Sequence, residues 1–208
     1  MINWQNGKYV KYYLGKKTLR AHLDAVHACN PKADLYTRNI VEGVVESTNC
    51  SGIIALISRT EADLNRVQNL QNADAINELR GCVKSILLNT NKFNKGAIML
   101  PHLHLAIHGM KDCGHDIEIG TRNGETCSAQ VREWILKEIK DKFENTIIDQ
   151  FFIGDSSKRH NRQEYGKNFN TFQIEICKTL RMNKRKELID LFSNVVLEFN
   201  SRFCENIA

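Results

Sequence analysis

Only two prolines occur in 208 residues, and the chain has no low-complexity tract and no internal repeat. Nothing marks a linker, so residues 1–208 read as one domain. No apolar run approaches the ~20 residues of a membrane span. The opening "MINWQNGKYVKYYLGKKTL" has no apolar core of the kind a secretory signal needs. The seven cysteines are odd in number and form no C-x-x-C pair, which argues against a disulfide framework and a structural zinc knuckle. They read instead as small core residues in a reducing compartment. By elimination, the expectation is a soluble cytoplasmic protein.

The excess of one charge sign over the other is also small. The net charge is +5 and the isoelectric point about 8.8, mildly basic and open to anionic partners in general. The densest basic clusters, "KTLRMNKRK" (178–186) and "SSKRHNR" (156–162), read as a solvated helix face and a basic loop. No aromatic-basic platform of the type single-strand binders use is present, so neither a nucleic acid nor a membrane is expected as a partner.

What the chain does have is apolar periodicity. Residues 18–28 alternate and read as a strand ending near His27; 52–58 is a short β-branched strand. Residues 33–48, 74–90, 128–143 and 184–203 carry helical spacing, with Ser128 as an N-cap. The stretches "AIMLPHLHLAIHGM" (97–110), 115–122 and 171–179 read as further strands, with Pro101 better suited to an edge or a strand start than to a central position. Strands alternating with helices indicate an α/β layer fold, in which sites gather beyond strand ends.

One strand raises a question. In "LPHLHLAIHGM" (100–110), His102, His104 and His108 share one face, while Leu103, Leu105 and Ile107 share the other. Either that face packs against something polar, or the strand delivers a histidine to a site. Other polar residues have bland defaults. His27 reads as a satisfied histidine, Asp34 as an acid at a helix N-terminus, and the Gln173/Glu175 pair as a solvated strand face.

"SRTEADLNR" (58–66) shifts that balance by placing Arg59, Asp63, Asn65 and Arg66 straight after a buried strand. With "ADLYT" (33–37), "IHGM" (107–110), "DIEIGT" (116–121) and "FQIEI" (172–176), in that order, the chain resembles the N-formylglutamate amidohydrolase family over about residues 25 to 182. The resemblance implies a zinc hydrolase related to carboxypeptidases, with a three-layer α/β/α architecture and a mixed, largely parallel central sheet. It implies one Zn2+ per chain held by His27, Asp34 and His108, with Glu175 as the base. The family's Pro-His-Gly-Gly-like turn is "VHACNP" here: Val26 replaces the proline, and Ala28 and Cys29 the glycines. Two imidazoles and a carboxylate make an open zinc site that activates water at neutral pH, and a nearby carboxylate takes the proton. Arg66 with Asn65 is the candidate clamp for a substrate carboxylate. Arg59, Arg122 and Arg181 are further candidates, and His104 is expected to support the metal ligands from behind. The leading expectation is a metal-dependent amidohydrolase of N-acylated amino acids or short acidic peptides. A peptidase or γ-glutamyl hydrolase of the same fold is a second reading. A binding or regulatory module that kept the fold and lost the chemistry is a third, prompted by the altered turn.

Overall fold

The structure, a computed structural model, describes residues 2–154 and 162–204. Its elements in chain order are β1 (Gln5–Asn6), β2 (Val10–Tyr13), β3 (Ala21–Ala25), α1 (Thr37–Thr48), β4 (Ser51–Ala55) and α2 (Ala73–Thr90). Then come β5 (Phe93–Asn94), β6 (Ala97–Ile98), β7 (His102–Gly109), β8 (Ile117–Gly120), α3 (Ala129–Lys142) and β9 (Thr146–Ile148). The chain closes with α4 (Arg162–Tyr165), β10 (Phe169–Ile176), α5 (Lys178–Asn183) and α6 (Arg185–Phe203). Residues 156–161 of the basic loop lie outside the described residues.

Eight strands form one mixed sheet in the order β1-β2-β4-β3-β7-β10-β8-β9. Its centre, β4-β3-β7-β10, is parallel. β2 and β8 flank it antiparallel. Helices α1, α3 and α6 cover one face, packing against Leu103, Leu105, Ile107, Phe172 and Ile174. Helix α2 covers the other, packing against Val10, Ile53, Ala55 and Phe169. The result is the expected three-layer α/β/α arrangement.

The helical spacings explain these layers. Helix α1 buries Ile40, Val41, Val44 and Val45, a single stripe. Helix α3 buries Val131, Trp134, Ile135 and Ile139, and the Ser128 hydroxyl accepts from Val131 N–H at 3.3 Å, as the N-cap expectation requires. No helix among the described residues is long and apolar enough to cross a membrane.

Several boundaries differ from the sequence reading. The 33–48 segment becomes helical only at Thr37, because Tyr36 takes a left-handed conformation (φ 73°). Residues 33–36 are therefore a loop, and Asp34 precedes the helix instead of opening it. The 97–110 stretch splits: Ala97–Ile98 pairs with Phe93–Asn94, and the central strand starts after Pro101, where a missing N–H costs no ladder bond. On the polar side of the 115–122 alternation, Glu118 is fully buried. The Gln173/Glu175 face is likewise buried.

The three-histidine face packs against something polar over most of its length. His22 Nδ1 and His102 Nε2 lie 2.9 Å apart, and the His22 ring stacks on His104 at 4.3 Å. His104 bridges Thr171 Oγ1 (2.7 Å) and Asp24 Oδ2 (3.0 Å). Only His108, at the far end of β7, leaves this network.

Candidate functional site

The C-terminal ends of the parallel strands carry the candidate residues. His27 lies two residues past β3, and Asp34 is returned beside it because its backbone N–H bonds His27 C=O at 2.8 Å. The "VHAC" turn is tied to the next loop by a Cys29–Ser58 bridge and by the Cys29 thiol donating to Ala55 C=O at 3.2 Å. His108 is the next-to-last residue of β7, and its parallel partner on β10 is Glu175. Paired residues share a sheet face, so these two side chains stand together.

Three donors converge. Nδ1 of His27 and Nδ1 of His108 face the same Asp34 oxygen, at 3.5 and 3.6 Å. Two ligands about 2.1 Å from one tetrahedral ion are separated by about 3.4 Å, so the spacing suits a single metal. Among the described residues this is the one group of His, Cys, Asp or Glu whose donor atoms come this close. All three residues are buried. His108 Nε2 is buried without a hydrogen-bond partner among the described residues. The set already draws a cation: a guanidinium nitrogen of Arg59 touches His27 Nδ1 and stands 3.3 Å from both Asp34 oxygens. The donor chemistry therefore fits a divalent ion.

Asp63 organises this cluster, a role the sequence reading did not give it. Its Oδ1 lies 2.9 Å from His27 Nε2 and accepts the Asn65 N–H at 2.8 Å. A proton on Nε2 leaves Nδ1 bare and turned to the cluster, the usual arrangement of a carboxylate behind a ligating histidine. The only hint in the sequence was its place in "SRTEADLNR". Gly109 N–H holds Asp34 Oδ2 at 3.0 Å.

A cavity of about 330 Å³ opens over the cluster. His27, Asp34, His108, Asn65, Arg59, Arg66 and Glu175 all line it, as do Asp63, Gln173, Gly109 and Phe152. Glu175 is only 5% exposed. Burial is the main influence on its carboxyl and raises its pKa, opposed by His108 and by the hydrogen bond from Gln173. That bond, Gln173 Nε2 to Glu175 Oε1, is 2.7 Å. Arg66 stands at the rim, its side chain 71% exposed and 3.6 Å from Asp63.

Three sequence candidates lie elsewhere. The Arg181 side chain is buried and wholly engaged with backbone: it donates to Ile176 C=O and Met110 C=O, both at 3.0 Å, and to Leu35 C=O. It straps together the segments that carry Asp34, His108 and Glu175 and does not line the cavity. A side chain at Gly109 would strike this guanidinium at 2.4 Å, which explains the glycine after His108. Arg122 sits in a left-handed turn after β8, 3.3 Å from Glu125, also outside the cavity lining. His104 is locked between Asp24 and Thr171 within the sheet face and does not line the cavity either.

No protein-family model matches the chain, and no curated protein matches it in sequence. Solved structures do match in fold. An N-formylglutamate amidohydrolase from Ralstonia eutropha JMP134 superposes with a TM-score of 0.71 at 15% identity, over 96% of this chain and 99% of that one. A bacteriophage poly-gamma-glutamate hydrolase gives 0.53 at 13% identity, over 95% and 92%. A metallo-carboxypeptidase from Burkholderia cenocepacia gives 0.54 at 9% identity, over 92% of this chain but 61% of that one. At these identities the likeness establishes the α/β fold, in agreement with the resemblance drawn from the motifs.

Proposed function

We propose that this chain is a single-domain, zinc-dependent amidohydrolase that cleaves the amide of an N-acylated amino acid or a short acidic peptide. The observation that carries the reading is the convergence of His27, Asp34 and His108 beside a buried carboxylate, Glu175, in one cavity. His27, Asp34 and His108 would hold one Zn2+. Zinc supplies a Lewis acid and lowers the pKa of water to about 7.

The protein's own groups do the rest. Asp63 fixes the His27 ring and its tautomer. Glu175, whose carboxylate burial makes a stronger base, takes a proton from the attacking water and passes it to the leaving amine. Gln173 holds one Glu175 oxygen and leaves the other for that proton. Arg59, which lines the same cavity, would offer its N–H groups to the oxyanion of the substrate. Asn65 and Arg66 bind the substrate carboxylate at the rim, where a guanidinium offers two parallel hydrogen bonds.

A peptide or γ-glutamyl substrate on the same residues is the second reading, supported by the fold shared with the bacteriophage hydrolase. Metal analysis of the purified protein and a screen of N-acyl amino acids against γ-glutamyl peptides test both. About one zinc per chain, lost in His108→Ala, with turnover of an N-acyl amino acid, is the expected result. Full zinc occupancy in His108→Ala at low free metal overturns the ligand set.

A further inference from the structure

Beside the polar cavity lies a second, larger one of about 640 Å³, and the two share Gly109 and Phe152 as a common wall. Its lining is mostly apolar, with Met110, Cys113, Phe151 and Phe152 beside Gly109, His115 and one cation, Lys111. Phe151 is 72% exposed and Phe152 39%. Adjacent exposed phenylalanines next to a reaction cavity are costly to leave in water unless they bind something.

The chain also spends buried polar groups to hold these rings still. Glu118 Oε1 accepts three successive backbone N–H groups, from Gln150, Phe151 and Phe152, at 2.9, 2.5 and 2.8 Å. Asp149, just before them, takes the Thr121 N–H and hydroxyl at 2.6 and 2.5 Å and a bond from Arg132 at 3.0 Å. On the other side, Phe152 C=O packs so closely on Gly120 that a Cβ there would meet it at 2.3 Å. His115 stacks parallel on the Phe151 ring at 5.9 Å, and its Nε2 lies 3.4 Å from Glu118. Charge-assisted bonds to consecutive N–H groups fix a backbone firmly. A segment fixed in this way presents its aromatic rings preorganised, so little entropy is lost when a ligand lands on them.

The order of strands gives the direction. Across the sheet run β4, β3, β7, β10 and β8. Arg59, Asn65 and Arg66 follow β4; the three metal donors follow β3 or end β7; Glu175 is on β10; Glu118, its cross-strand partner, is on β8. Arg59, Asn65 and Arg66 thus stand on one side of the donor cluster, and the aromatic pair, with Lys111 beside it, on the opposite side. In an N-acyl amino acid the carboxylate belongs to the amine half of the scissile bond. A carboxylate at Arg66 therefore directs the acyl half towards Phe151 and Phe152.

Building on the amidohydrolase reading above, we propose that the acyl group of the substrate is large and apolar, aromatic or of medium chain length, and lodges against Met110, Phe151 and Phe152. A formyl group leaves this surface unused.

The test is an acyl series (formyl, acetyl, hexanoyl, phenylacetyl) on glutamate, leucine and phenylalanine, run with zinc-loaded protein. The same ligands are titrated calorimetrically into Glu175→Gln protein. A buried methylene contributes roughly fourfold, so kcat/KM rises at least about tenfold from formyl to hexanoyl or phenylacetyl. Phe151 is exposed, so Phe151→Ala folds; it should cut that preference about tenfold, while Phe151→Leu keeps most of it. Turnover that favours formyl, or a preference untouched by Phe151→Ala, overturns the apolar acyl group and leaves the amidohydrolase reading standing. If no amide is turned over, the amidohydrolase reading falls and the titrations decide. Tighter binding of phenylacetyl than formyl ligands, abolished by Phe151→Ala, keeps the apolar subsite; equal or absent binding overturns it.

Discussion

One face of the sheet carries two clusters built from the same residue types. At the N-terminal end of β7, His22, His102, His104, Asp24 and Thr171 form a buried network, all at most 2% exposed. At the other end, His27, His108, Asp34 and Glu175 face a cavity. In the first cluster the imidazoles bond one another or fixed polar neighbours. In the second, two imidazole nitrogens point at one carboxylate oxygen with space in front of them. Residue type does not separate the two; convergence on a shared open point does. A buried network of this kind specifies a core, whereas the open one leaves its polar atoms facing a cavity.

Substitutions at each end sharpen that contrast. The largest effect is expected at the open end. Glu175→Gln keeps shape but not basicity, so kcat should fall roughly 100- to 10,000-fold with fold and metal content retained. Wild-type kcat in this variant would return Glu175 to a packing role.

At the buried end, Asp24→Ala leaves His104 buried without its carboxylate and should cost roughly 3–5 kcal/mol in denaturant unfolding. Metal content per folded chain should not change; a parallel loss of metal would merge the two clusters into one.

The buried end should also respond to acid. Burial, followed by the charges of His104 and Arg20, pushes His102 down to about 3. The unfolded chain binds a proton below about 6.5, and the folded chain does so only near 3. Stability is therefore full above about 6.5 and declines as pH falls towards 3, by on the order of a few kcal/mol from this residue. His102→Asn should flatten the slope of unfolding free energy against pH in that window; an unchanged slope would mean that His102 does not set it.

Asp63→Ala tests the support behind the donors. Metal affinity measured against a chelator should weaken about 10- to 100-fold, since the His27 tautomer is no longer fixed. Unaltered affinity would make Asp63 a loop residue only.

The smallest effect is expected at the rim. Arg66→Lys keeps the charge but loses the planar fork, so KM for carboxylate substrates should rise about tenfold with little change for amidated analogues. Equal effects on both would remove Arg66 from carboxylate binding.

The same contrast explains what could be read from the sequence. Long amphipathic helices were legible because each buries one uninterrupted stripe: Ala73–Thr90 and Arg185–Phe203 start and stop within a residue or so of the periodic segments. The strand Val10–Tyr13 was not, because buried Lys11 breaks its alternation; that lysine is neutralised by Glu42, 2.7 Å away but 31 residues on. β9 has only three residues, too few to show a period. In the site, the motifs drew attention to His27, Asp34, His108 and Glu175, which the structure brings together. Asp63 and Glu118 stayed hidden because their partners lie 36 and more than 30 residues away. Arg181 was misread for a related reason: a guanidinium suited to a substrate carboxylate is equally suited to backbone carbonyls, and its surroundings decided between them.

Arg181 also bears on the order in which the chain is synthesised. His27, Asp34 and His108 all leave the ribosome before residue 110, but the cation that gathers the loops around Leu35, Met110 and Ile176 comes some seventy residues after His108. The arrangement of these three side chains therefore depends on a residue translated long after them.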